Sequence, residues 1–142
     1  MQTFLPSADF AASAASLDRM RLGKQRVEAF QILKALVAPS GSGWRNHPAV
    51  KMWRGYEGAL VQYTHAICGE WKRRSYKDTV EGKVSDLAAT HGINIVNPVM
   101  PPWLGRPDLH RSHQSNLVRK LPDHYGALWP DVPATLEYVW PG

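Results

Sequence analysis

The stretch PAVKMWRGYEGALVQYTHAICGEW, residues 48–71, decides the fold class. Trp53, Tyr56, Leu60, Tyr63, Ile67 and Trp71 recur at steps of three and four, the spacing that gathers side chains on one face of an α-helix. A pattern held for about five turns is a core-facing helix, since a strand would alternate with period two. Pro48 suits the first turn because its missing N–H would find no partner there anyway, and Asn46 or His47 is the expected cap. Lys72, Arg73 and Arg74 follow, placing positive charge at the negative end of the helix dipole.

Working outward, residues 1–15 read as an extended arm fixed locally by Pro6, and Ser16 offers a capping oxygen to a helix reaching about Val37. That helix stops at Pro39-Ser40-Gly41-Ser42-Gly43. Downstream, a shorter helix is expected from about Val80 to Thr90, closed at His91-Gly92, where glycine takes the left-handed conformation. Residues 93–104 carry Asn97-Pro98 and Pro101-Pro102 and read as a surface loop. A third main helix runs from Pro107 or Asp108 to Lys120, Pro122 interrupts it, and residues 123–142 form an aromatic, proline-rich tail over the helices. The expected architecture is all-α. It is a single compact domain over residues 1–142, with three main helices, shorter helices, an N-terminal arm and an aromatic C-terminal tail.

Composition agrees with one soluble domain. A chain of 142 residues buries roughly two-thirds of its unfolded surface, and no apolar run approaches the ~20 residues of a membrane span. The start, MQTFLPSADF, lacks a basic segment followed by an apolar one, so a cytoplasmic protein is expected. Cys68 is the only cysteine; an internal disulfide is excluded, and a buried thiol is the expectation. Net charge is +5, but residues 1–76 hold eleven Lys/Arg against five Asp/Glu, while residues 77–142 hold six against seven. A basic half interleaved with Trp44, Trp53 and Trp71 suits a polyanion that also offers flat bases.

The richest chemistry lies in RLGKQRVE, residues 21–28. At about 100° per residue Arg21, Lys24, Gln25 and Glu28 share one helical stripe, away from Met20, Val27, Phe30 and Leu33. Two readings stand side by side. The stripe is a solvated face with an ordinary Lys24–Glu28 pair, or it lines a cleft in which Arg21 holds phosphate, Lys24 is a nucleophilic amine and Glu28 moves protons. Gly23, costly inside a helix, calls for a close approach of backbone, substrate or arm. His47 reads as a helix cap or a DNA contact. His110, His113 and Gln114 read as polar groups lining the same cleft or as a half-exposed helix start, with too few further ligands for a metal. Trp44 and Trp103 sit in loops, where an aromatic stacks on a base or covers the core edge.

With MQTFLP, LDxxRLGKQRVE and GWRNHPAVxMW in view, the sequence resembles the phage endonuclease V type of pyrimidine-dimer DNA glycosylase and AP lyase, in a bacterial branch. Tyr76-Lys77-Asp78-Thr79, Leu109 to Ser115, Arg119 and Tyr125-Gly126 extend the likeness over most of the chain. The resemblance implies a helical domain whose arm threads between helices and whose terminal amine attacks the sugar carbon bearing a damaged base. A first-helix carboxylate assists, and neighbouring arginines hold phosphates. In ungapped register Gly23 stands where the family has that glutamate and Leu22 where it has an arginine; Arg26 is retained, and Arg21 is a candidate replacement cation. Gln2 is too large for removal of Met1, whereas the family exposes a small residue. The nucleophile is therefore the amine of Met1, or Lys24 with Glu28 as acid/base, or absent.

The expected function is a DNA-binding glycosylase for damaged or modified bases, with an amine-based AP lyase step; the alternative is a non-catalytic DNA-binding protein on the same scaffold. Met1, Lys24 and Glu28 are the catalytic candidates. Arg21, Gln25, Arg26, Trp44, Arg45, His47, His110, His113 and Gln114 are the DNA-binding ones. Double-stranded DNA is the expected partner of a nucleoid-associated monomer, without membrane, metal or cofactor.

Overall fold

A computed structural model describes residues 1–38 and 43–141, apart from the side chain of Trp44. The described residues form an arm, α1 (Phe10–Ser16), α2 (Arg19–Val37), a 3-10 turn (Gly43–Asn46), α3 (Pro48–Lys51), α4 (Glu57–Arg73), α5 (Glu81–Thr90), α6 (Pro107–Lys120) and α7 (Pro122–Leu128). No strand occurs among them. The three long helices α2, α4 and α6 are those legible in the sequence.

Helix α4 is the hub, packed against α1, α2 and α5. Its stripe is buried at Leu60, Tyr63 and Ile67, facing Leu22, Ala29, Ile32 and Leu33 of α2. The expected single helix from Pro48 to Trp71 is two helices, because Gly55 at φ +89° turns the chain between α3 and α4. Trp53, fully buried before that turn, meets Trp103 edge-on at 5.1 Å and Tyr63 at 5.7 Å. Trp103 is thus part of the core. Gly58 lets α4 approach the loop after α5: any Cβ there would strike the carbonyl of Asn94 and the ring of Pro98.

Two further expectations need correction. The arm is shorter than 15 residues, since Asp9 caps Ala12 N at 2.9 Å and starts α1. Helix α2 accordingly begins after Asp18, not Ser16. Pro122 ends α6 but opens α7, in keeping with proline's tolerance of a first helical turn. Only the chain beyond α7 is a tail, and α6 straps it down. Ser115 Oγ donates to the carbonyl of Pro133, Val139 N donates to Ser112 Oγ, and Arg119 reaches the carbonyls of Ala134 and Leu136. Cys68 is buried, its pKa pushed up to about 12 by desolvation with the Asp78 carboxylate adding to it. No helix among the described residues is long and apolar enough to cross a membrane.

Candidate active-site cleft

The arm determines the site, because it runs through the interior and every backbone polar group it buries needs a partner. Gln25, wholly buried, accepts from Phe4 N at 2.8 Å and donates to the carbonyl of Gln2 at 2.9 Å. Tyr63 donates to the carbonyl of Phe4 and Trp53 to the hydroxyl of Thr3. His113 Nδ1 accepts from Leu5 N at 2.9 Å, and His110 Nδ1 lies 2.7 Å from the carbonyl of Leu5. Gln114 donates to the carbonyl of Pro6 at 2.8 Å. Four of the expected DNA contacts, Gln25, His110, His113 and Gln114, are therefore engaged by the arm.

The two histidines have fixed tautomers. His110 Nε2 accepts from Gly105 N at 2.8 Å, so its proton is on Nδ1, toward Leu5. His113 accepts at Nδ1, leaving its proton on a buried Nε2 with no partner. Desolvation, with a small push from His110, holds the His113 pKa down at about 3. Both residues support the arm, and His113 does so in its neutral form.

Where the arm passes α2, a cleft of about 190 Å³ opens, lined by Gln2, Phe4, Met20, Arg21, Lys24, Glu28 and Lys120. Three cations surround one carboxylate. Glu28 is 13% exposed; its Oε1 lies 3.8 Å from Lys24 Nζ, and its Oε2 is buried without a hydrogen bond. Lys24 lines the cleft with its side chain 71% exposed. Arg21 is 3.3 Å from both carboxylate oxygens of Asp18, which also accepts from the Tyr125 hydroxyl. Asp18 is desolvated, but those hydrogen bonds outweigh burial and lower its pKa.

Arg26 turns the other way. It pairs with Asp78 at 2.5 Å, and its guanidinium lies 4.4 Å over the Trp71 ring. Gly23 belongs to the same assembly: a Cβ there would sit 2.9 Å from the ring, so the close approach expected of this glycine is made by Trp71. Arg45 donates to the carbonyl of Ala38, and His47 caps α3 by accepting from Ala49 N at 3.1 Å. Desolvation and the positive terminal amine of Met1 both lower the His47 pKa. Met1 is half-buried against the core edge, one residue from the cleft-lining Gln2. Trp44, another expected DNA contact, has its side chain outside the described residues. No group of three or more His, Cys, Asp or Glu that could hold a metal occurs among the described residues.

Sequence reasoning overlooked Gln2, Phe4, Lys120 and Tyr138. Lys120 stood at the expected end of the third main helix, but nothing indicated which helix it would face. The Tyr138 hydroxyl is buried without a hydrogen bond of ordinary geometry. Burial raises its pKa; a hydrogen bond with the Gln2 side chain and the charges of Arg119 and Arg21 oppose that rise, and the charge of Glu28 reinforces it.

The model of a family described as pyrimidine dimer DNA glycosylase matches residues 1–83, from the arm to the first turn of α5. No curated protein and no solved structure matches the chain.

Proposed function

The chain belongs to the pyrimidine dimer DNA glycosylase family, and on that premise we propose that the cleft between the arm and α2 excises a damaged base from double-stranded DNA through an amine. The observation that carries this reading is Glu28 Oε2, buried and unpartnered, while Lys24 stands at 3.8 Å from the other oxygen. A carboxylate placed beside an amine can take the ammonium proton and return it later. Arg21 and Lys120 flank the pair and suit the phosphates on either side of a lesion.

In this scheme the unprotonated Lys24 nitrogen bonds to the sugar C1′ while the glycosidic bond breaks, and its electron pair leaves with the base, which takes up a proton. The nitrogen then loses a proton, the C1′–O4′ bond opens with a proton delivered to O4′, and an iminium remains. Removal of a C2′ proton expels the 3′ phosphate, which is the lyase step. Glu28 is the group beside the reacting nitrogen that exchanges these protons. A second reading assigns the nucleophile to Met1, whose charge is felt at His47 and whose neighbour Gln2 lines the cleft.

Borohydride trapping on a duplex with a pyrimidine dimer or an abasic site tests the scheme. A covalent adduct is expected, lost in Lys24→Ala and kept when the terminal amine is blocked. The reverse pattern assigns the chemistry to Met1. Salt-sensitive duplex binding with neither adduct nor base release refutes the enzymatic reading and leaves a DNA-binding protein on this scaffold.

A further inference from the structure

A hydrogen-bonded chain runs from α7 to one cation of the cleft. The Tyr125 hydroxyl donates to Asp18 Oδ1 and accepts from Asp18 N at 2.9 Å, so it holds both the side chain and the backbone of the residue that precedes α2. The two oxygens of that carboxylate share Nη1 of Arg21, each at 3.3 Å. Arg21 lines the cleft, and its Nε and Nη2 make no hydrogen bond to the described residues. A guanidinium offers five donors in a planar fork, so spending Nη1 on Asp18 leaves the Nε–Nη2 edge for two oxygens of an oxyanion.

We propose that Tyr125 is a positioning residue for Arg21: its hydroxyl fixes the Asp18 carboxylate, Asp18 holds Nη1, and the Nε–Nη2 edge is thereby set to take a phosphate of the duplex. That the ligand is DNA rests on the proposed function; the hydrogen-bonded chain does not. Tyr125 lies beyond the residues matched by the family model, so a part of the chain outside that match supports a cation within it.

An Arg–Asp pair three residues apart on a helix surface ordinarily contributes little, because both side chains give up freedom to hold it. Here the aspartate cannot turn away. Tyr125 is fully buried, its ring stacked on Trp129 at 5.6 Å and 9° and met edge-on by His124 at 4.6 Å. His124 Nε2 donates to the carbonyl of Ser16 at 2.9 Å, so α7 is docked on the junction of α1 and α2 at two points. Burial and the bond to Asp18 raise the Tyr125 pKa, and the hydroxyl stays a donor at neutral pH. Besides Tyr125, the groups that act on the Asp18 carboxylate are the side chain and backbone N–H of Arg21. The Arg21 side chain is accordingly 20% exposed, against 71% for Lys24 in the same cleft. A guanidinium already held in place loses less freedom when it meets its ligand.

The test compares the full chain with Tyr125→Phe, which keeps the ring on Trp129 and removes the hydroxyl. In the free protein, a carbon-NMR titration of the Asp18 carboxyl should move its midpoint upward by about half a unit or more, since a donor to the charged form is lost. The nitrogen-NMR order parameter of Arg21 Nε should fall in the same variant. On a duplex carrying a pyrimidine dimer or an abasic site, Tyr125→Phe is expected to weaken binding about three- to tenfold, and less than about twofold in an Arg21→Gln background. An unchanged Asp18 titration with an unchanged Arg21 order parameter overturns the proposal whether or not the protein binds DNA. Equal affinity losses in both Arg21 backgrounds also overturn it, because a hydroxyl that serves folding alone acts independently of Arg21. Changes at Asp18 and Arg21 in a protein that binds no duplex leave the positioning intact and remove the proposed function alone.

Discussion

Glu28 keeps one carboxylate oxygen out of water with nothing bonded to it, an arrangement that costs stability until a ligand arrives. Glu28→Gln should therefore separate function from folding. Base release is expected to fall at least ~100-fold, while the denaturation midpoint stays level or rises, because the amide removes a buried charge and the Lys24 pair it loses is solvent-exposed. Urea titration beside a base-release assay checks both halves. His113 gives a pH dependence of definite sign. Its folded pKa of about 3 lies below the ordinary histidine value of ~6.5, so the unfolded chain binds the extra proton first. The contribution is complete above ~pH 6.5 and is lost progressively as pH falls toward 3, on the order of 5 kcal/mol across that window. Stability measured between pH 7 and 4 should fall less steeply in His113→Asn than in the wild type. Equal slopes would refute this assignment.

At the scale of elements, the arm is a structural member as much as a functional one. Gln25→Ala strands the buried N–H of Phe4 and the carbonyl of Gln2, and should destabilise the protein by about 2–3 kcal/mol. Hydrogen exchange should accelerate at the amides of Phe4 and Leu5 first, and protection unchanged there would show that the arm does not depend on this clamp. The arm also explains what the sequence hid. Helical periodicity located α2, α4 and α6, because each buries a stripe against the others, and the grouping of Arg21, Lys24 and Glu28 followed from the same geometry. Gln25 shares that stripe in one dimension yet points at the arm, and a helical projection holds no information on what passes beside it. His110, His113 and Gln114 looked like a ligand-facing cluster for the same reason: polar residues that satisfy an interior strand of backbone have the composition of a binding site. Tyr138 was invisible because its tail has no period from which to infer a direction.

Across the whole molecule, the charge excess of the first half is partly consumed internally. Arg73 and Arg74 both hold Glu70, and Arg26 holds Asp78, so these three are poor candidates for releasing counterions from DNA. The cations of the cleft are better placed. Replacing Arg21 and Lys120 together by glutamine should lower the slope of log affinity against log salt for duplex DNA by about two, roughly one per phosphate contact. A slope unchanged in the double variant would move the DNA path off this face.

The contact between Gly23 and Trp71 ties the choice of residue at one position to the placement of a ring and a cation elsewhere. A Cβ at position 23 would lie 2.9 Å from an indole that also meets the Arg26 guanidinium and the Tyr76 ring, so any side chain placed there must first displace that ring and, with it, the partner of Arg26.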